Sequence, residues 1–188
     1  RFSLFRSELP LQLRRITDRN RLGVFARLSQ QHRVNGRIHI GPLVAQGGEF
    51  GAGGDVTING VALPTYWADG LLIATSSGST AYSLSVGGPI VLPESKVLII
   101  SPIAPHNLNV RPMIVPDSSE ISIRFQSRDA SVVLSVDNRN KEIPADSEIG
   151  VKLARFSLNR VCLKDSDFIK ALTTKLFWGE DIRNGNEQ

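Results

Sequence analysis

The sequence predicts a mainly β domain of two packed sheets, closed by one C-terminal helix. Short apolar runs with strand period follow one another from residue 55, turn residues separate them, and helical spacing of apolar residues returns only near the end. With 188 residues, 41% of them hydrophobic, the chain can bury one proper core, and no apolar run approaches the roughly 20 residues that cross a bilayer. The single Cys162 cannot form an internal disulfide, and the opening Arg-Phe-Ser-Leu-Phe-Arg is no apolar signal segment. A soluble protein of the reducing cytoplasm is expected.

Residues 1–54 read as a separate front section. Arg1 to Ile40 holds nine Arg and no Lys against Glu8 and Asp18, a local excess of +7 in a chain whose net charge is +4. The rest is therefore slightly acidic, and nucleic-acid binding has to live in the front section alone. That section lacks zinc-ligand spacing and a helix-turn-helix signature, so a solvated basic face is favoured over a nucleic-acid partner. Leu9 to Leu28 fits an amphipathic helix with Leu11, Ile16, Leu22 and Phe25 inward, interrupted near Gly23. Gly47 to Gly54, with five glycines in eight residues, reads as a flexible joint.

Residues 55–188 then form the β-rich domain. Val56-Thr57-Ile58, Asn59-Gly60 and Val61-Ala62-Leu63 predict a hairpin, because a type I′ turn needs positive φ at both central positions. Leu71 to Thr75, Val97 to Ile100 and Met113 to Val115 read as buried strands. Ile121, Ile123 and Phe125 alternate with Ser122 and Arg124, and Val132, Leu134 and Val136 alternate around Val133 and Ser135, giving each strand one core face. Val151 to Phe156 and Arg160 to Leu163 add two strands. Ser166 can cap a helix that carries Phe168, Ile169, Leu172, Leu176 and Phe177 on one side.

The informative stretch runs from Asp69 to Pro89. A buried strand enters the small-residue turn Ser76-Ser77-Gly78-Ser79-Thr80 and then a short helix ending before Gly87, a place where N–H groups and hydroxyls can face a polar ligand. Gly78 permits close approach, Ser79 or Thr80 can cap the helix, and Tyr82 offers a ring on which a base can stack. A capped turn with a core tyrosine fits the same residues. Gly78 is followed by Ser79 where a Walker loop needs Lys, and Gly51-Ala52-Gly53 meets Val56 where a dinucleotide fingerprint needs glycine. No Gly-x-Ser-x-Gly occurs, and His32, His39 and His106 offer no paired metal ligands.

Tyr66-Trp67-Ala68-Asp69-Gly70, Gly78-Ser79-Thr80-Ala81-Tyr82-Ser83-Leu84-Ser85, Gly87-Gly88-Pro89-Ile90 and Pro102-Ile103-Ala104-Pro105-His106-Asn107 together resemble the carboxy-terminal domain of NAD kinase. The resemblance continues through Ser135-Val136-Asp137 to Phe177-Trp178-Gly179 and on to Asn184. It implies a β-sandwich that supplies most of the NAD contacts. The implied activity is transfer of the terminal phosphate of ATP, or polyphosphate, to the 2′-hydroxyl of the adenosine ribose of NAD, with Mg²⁺ on the donor. By the same resemblance Asp69 belongs to the ribose or nicotinamide side. Ser77, Thr80, Ala81 and Tyr82 line the dinucleotide, with Ser83 and Leu84 in the same lining, and Ser85 and Ala104 complete the pocket. A homo-oligomer is also implied.

Each residue has a plainer alternative: Asp69 before Gly70 as a turn residue, and His106 between loop residues as a histidine satisfied by backbone. Asp137-Asn138-Arg139 stands where many members have Asp-Gly-Gln, and Ser76-Ser77 replaces the commoner Pro-Thr. The Gly-Gly-Asp-Gly motif that carries the general base is absent. Gly53-Gly54-Asp55 leads instead into Val56 and a hairpin, so Asp55 is not expected to be the base, and no catalytic residue is assigned. The Asn-Glu or Asn-Asp pair for the adenine end is likewise missing from residues 1–54. The expectation is the NAD-binding part of a kinase. Its rivals are a non-catalytic dinucleotide-binding or regulatory module and a lipid kinase of related fold.

Overall fold

The computed structural model describes residues 14–18, 21–28, 43–46, 52–136, 139–153 and 167–179. In chain order the strands are β1 (Arg14–Asp18), β2 (Arg21–Leu28), β3 (Leu43–Gln46), β4 (Ala52–Ile58), β5 (Val61–Ala62), β6 (Tyr66–Ala68) and β7 (Gly70–Thr75). A 3₁₀ turn (Ser76–Gly78) and the short helix α1 (Tyr82–Ser85) follow. Next come β8 (Val97–Ile103), β9 (Met113–Pro116), β10 (Ile121–Gln126), β11 (Ser131–Val136), β12 (Arg139–Pro144), β13 (Glu148–Leu153) and the helix α2 (Phe168–Leu176). One sheet runs β1-β2-β13-β10-β4-β5, with β6 also on β4; the other runs β12-β11-β3-β7-β8-β9. The mainly β, two-sheet expectation holds.

The alternation read from sequence is what packs the sheets. Val56, Ile121, Ile123, Phe125, Ile149 and Val151 from the first sheet share one buried cluster with Leu71, Ile73, Leu98, Ile100, Val132 and Leu134 from the second. Ile123 lies at its centre, flanked across the ladders by Val56 and Ile149. The polar alternates of β10 face outward, where Arg124 pairs with Glu148 at 2.8 Å and Ser122 donates to the same carboxylate at 2.6 Å. Strands β7 and β8 depart from alternation because both their faces are covered. Leu72, Ala74, Ile99 and Ile103 form a second cluster on the outer face, beneath Val86 and Val91 from the segment that follows the turn.

The Asn59-Gly60 hairpin forms as expected, with φ of 51° and 83°. Asn59 also ties the hairpin to the chain before β10, its N–H donating to the Glu120 carbonyl and its Oδ1 accepting from the Glu120 N–H, both at 2.9 Å.

Three local expectations are corrected. The helix expected over Leu9–Leu28 is a hairpin over its described residues, β1 against β2, with β2 also parallel to β13. Leu22, Val24, Ala26 and Leu28 carry strand period, whereas Leu22 and Phe25 fit helical spacing, and available partner strands decide between the two. The glycine joint ends in strand: Ala52, Gly53 and Gly54 pair with Ala68, Trp67 and Tyr66, while residues 47–51 lie outside the described residues. A Cβ on Gly53 would meet the Trp67 ring and Thr65 Cγ2 at 3.2 Å, so the glycine lets the indole lie over the strand. Strand β13 starts earlier than expected, at Glu148, and is described to Leu153. Residues 154–156, Arg160–Leu163 and Ser166 lie outside the described residues.

Helix α2 is capped by Asp167, whose carboxylate accepts from the Ile169 N–H at 2.8 Å. Of its apolar residues Leu172 is buried, whereas Ile169, Leu176 and Phe177 are exposed.

Ile123→Ala is expected to lower stability by about 2–5 kcal/mol, the range for truncating a fully buried aliphatic side chain. Val61→Ala, on the exposed hairpin, should change it by less than about 0.5 kcal/mol. Urea denaturation of both variants checks this, and equal losses would remove Ile123 from the centre of the core.

Candidate functional site

Strand β7 carries sequence-predicted site residues at both ends. Six residues at about 3.3 Å each separate its ends by roughly 20 Å. Asp69 stands at its start, and Ser77 to Ser85 leave its end through the 3₁₀ turn and α1. Ala104 follows β8 beside Asp69, because Gly70 pairs with Ile103 and the Asp69 N–H donates to the Ile103 carbonyl at 3.0 Å. The segment after the turn folds back over the outer face of the sheet, where α1 rests on β7 and Val86 joins the cluster that includes Ile103.

The turn is pinned by its serines. Ser76 Oγ donates to the Pro93 carbonyl at 3.0 Å, while Ser79 Oγ donates to the Val91 carbonyl and accepts from the Val91 N–H, both at 3.1 Å. The Ser79 side chain is thus a clamp on residue 91 and does not cap α1. The residue preceding α1 at its N-cap is Ala81, with no side-chain cap, which corrects the capping expected of Ser79 or Thr80. Gly88 closes the segment by donating to the Ser83 carbonyl at 2.7 Å. A Cβ there would run into Ser83 Oγ and stand 2.7 Å from that carbonyl oxygen, so this crossing admits only glycine.

Three buried hydroxyls without partners, those of Thr75, Ser77 and Ser83, lie at this turn, and two more lie away from it. Thr75 Oγ1, Ser77 Oγ, Ser83 Oγ, Ser101 Oγ on β8 and Ser147 Oγ just before β13 are buried and find no hydrogen-bond partner among the described residues. Ser101 shares the outer face with Ile99 and Ile103 by strand alternation, opposite Leu72. Each such group costs on the order of 1–3 kcal/mol when nothing accepts or donates. Beside those at the turn Tyr82 is 39% exposed, so it is not the core tyrosine of the plainer reading. Thr80 and Leu84 are half-buried, and Ala81 and Ser85 are exposed.

At the other end His106 Nε2 approaches Asp69 Oδ1 at 3.4 Å, and the His106 N–H donates to the Trp67 carbonyl at 2.9 Å. Ala104 holds φ of 45°, a left-handed conformation that costs a non-glycine residue about 1–2 kcal/mol. Asp55 is occupied elsewhere: Oδ1 accepts from Thr65 Oγ1 and Oδ2 from Gln126 Nε2, both at 2.7 Å. Burial of Tyr66 in the core raises its phenol above the usual 10.0 by desolvation. Among the described residues no three His, Cys, Asp or Glu gather as a metal site, and no helix is long and apolar enough to cross a membrane.

Residues 43–163 match the model of the ATP-NAD kinase C-terminal domain. The chain belongs to the ATP-NAD kinase family. It is 49% identical over 127 residues to an NAD kinase of Cytophaga hutchinsonii, covering 68% of this chain and 44% of the relative. An NAD kinase of Flavobacterium psychrophilum is 45% identical over 127 residues, covering 68% of this chain and 43% of its own length. The chain therefore spans less than half the length of these kinases.

Among solved structures, yeast NADH kinase complexed with NADH superposes with a TM-score of 0.61 and 27% identity over 77% of this chain and 45% of the yeast chain. An NAD kinase from Archaeoglobus fulgidus in complex with ATP superposes with a TM-score of 0.56 and 25% identity, over 62% of this chain and 46% of the other. The matched span opens at β3 and takes in every residue of both ends of β7.

Sequence reasoning missed Thr75, Ser101 and the meeting of His106 with Asp69. Thr75 and Ser101 lie inside apolar strand runs, and only a hydroxyl interrupting such a run marks them. Asp137 and Asn138 lie outside the described residues.

Gly88→Ala should destabilise the fold by about 1–3 kcal/mol, as overpacking does, because the obstacle includes backbone. Ala104→Gly should stabilise it by up to about 1 kcal/mol, the relief of left-handed strain less the added freedom of the unfolded chain. Paired denaturant titrations read both signs; the opposite sign in either would show that the local backbone is misassigned.

Proposed function

We propose that this chain supplies the dinucleotide-binding part of an NAD kinase, an enzyme that moves the terminal phosphate of ATP to the 2′-hydroxyl of the adenosine ribose of NAD. The observation that carries the reading is the turn after β7, where the buried hydroxyls of Thr75, Ser77 and Ser83 lack protein partners beside an exposed tyrosine. A polar ligand with a flat heterocycle satisfies both features at once. The names of the matched relatives, and the NADH and ATP held by the two solved neighbours, support the same class of ligand.

In this reading Tyr82 stacks on a base, Ser77, Thr80 and Ser85 offer hydroxyls to ribose or phosphate, and the backbone of Ala81, Ser83 and Leu84 lines the groove. Asp69 accepts from a hydroxyl or amide at the far end, and the small Ala104 leaves room beside it. An extended ligand passing the edge of the covering segment would meet both groups of polar residues at the strand ends. Both Asp55 oxygens already accept bonds, which supports leaving the general base unassigned within this chain. The described residues assemble no set for Mg²⁺, and a metal travelling with the donor triphosphate takes most of its ligands from phosphate and water. Assembly of copies belongs to the same reading, since β1, β5, β9 and β12 end the two sheets among the described residues. Cytoplasmic residence belongs to it as well, because a kinase acting on NAD works where NAD and ATP are supplied.

Calorimetric titration with NAD tests the assignment. Tyr82→Ala should weaken binding by roughly 1–3 kcal/mol, the worth of one stacked base, or about five- to 150-fold. Asp69→Asn should weaken it too, by loss of a charge-assisted acceptor. Asp55→Asn should leave affinity unchanged. Equal affinity of wild type and Tyr82→Ala would return the tyrosine to an incidental surface role.

A further inference from the structure

We propose that His106 is the positioning residue for Asp69, fixing which carboxylate oxygen a bound dinucleotide meets; the proposal rests on the NAD-binding reading above. Backbone bonds on either side of Asp69 hold the arrangement. The Asp69 N–H donates to the Ile103 carbonyl at 3.0 Å, and the His106 N–H donates to the Trp67 carbonyl at 2.9 Å. Between these two clasps the chain must reverse within Ala104 and Pro105. It does so by placing Ala104 at φ 45° and using the fixed φ of proline next to it. Strain kept at a non-glycine residue is a mark of sites whose geometry is held for use.

The result is an imidazole delivered to Asp69 by main chain, with Nε2 3.4 Å from Oδ1. The side chains are 51% and 61% exposed. Exposed pairs of this kind add little to stability, so stability does not account for a strained loop that brings them together. Orientation does. An imidazole N–H on Oδ1 stops the carboxylate from turning freely and leaves Oδ2 to accept from a ligand hydroxyl or amide. His106 acts through Asp69 and needs no contact with the ligand.

The test is NAD affinity, by calorimetry, of the 188-residue chain and of His106→Ala and His106→Gln, each in the wild-type and Asp69→Asn backgrounds. Glutamine places an amide N–H about where Nε2 stands. His106→Ala should weaken binding roughly two- to tenfold, the loss of one oriented hydrogen bond, and His106→Gln should restore it to within about twofold. In the Asp69→Asn background His106→Ala should change affinity by less than about twofold, because the group it orients has gone. Unchanged affinity of His106→Ala, equal losses for alanine and glutamine, or a full loss in the Asp69→Asn background would each overturn the proposal while leaving NAD binding intact. Absence of binding by the wild-type chain would overturn the NAD reading itself, and this proposal with it.

Discussion

Strands β7 and β8 bury both faces at once. Leu71, Ile73, Leu98 and Ile100 look into the sandwich, and Leu72, Ala74 and Ile99 look outward beneath residues 86 and 91. Each fully buried aliphatic side chain contributes about 1.5–3 kcal/mol, so this pair is firmly held from both sides. It also dictates where the polar residues go. A segment that must cover an apolar outer face cannot wander, so the turn after Thr75 is folded back and clamped through Ser76, Ser79 and Gly88. The candidate site is the edge of that cover.

A rigid support lets the site carry features that cost stability. The unpartnered hydroxyls of Thr75, Ser77, Ser83 and Ser101 and the left-handed Ala104 are each unfavourable by on the order of 1–3 kcal/mol. They gather along β7 and β8, where burial on two faces offsets them. Asp55, by contrast, lies on β4 with both oxygens satisfied by Thr65 and Gln126, as a residue of the scaffold should.

The core was legible in the sequence because strand alternation in Ile121 to Phe125 and Val132 to Val136 reports burial directly, and the Asn59-Gly60 turn has few other conformations open to it. The turn after β7 was legible from its small residues and from the family resemblance. Leu9 to Leu28 misled because its apolar positions satisfy two periods, and only the partner strand β13 settles the choice. Gly53 misled because a glycine that makes room for an indole looks, in sequence, like a glycine in a hinge. Ala81 at the N-cap and the pairing of His106 with Asp69 depend on where residues distant in the chain come to lie. Local spacing does not encode that.

The central claim is that one extended ligand reaches both ends of β7, the turn at Ser77 and Asp69, past the edge of the segment that covers the strand's outer face. Amide chemical-shift mapping during an NAD titration tests it most directly. The account predicts shifts at both ends together, in residues 77–85 and in residues 67–69 and 104–106, saturating with a single dissociation constant. Shifts confined to one end, or separate constants for the two, would contradict a single site and leave two unrelated polar clusters on one strand.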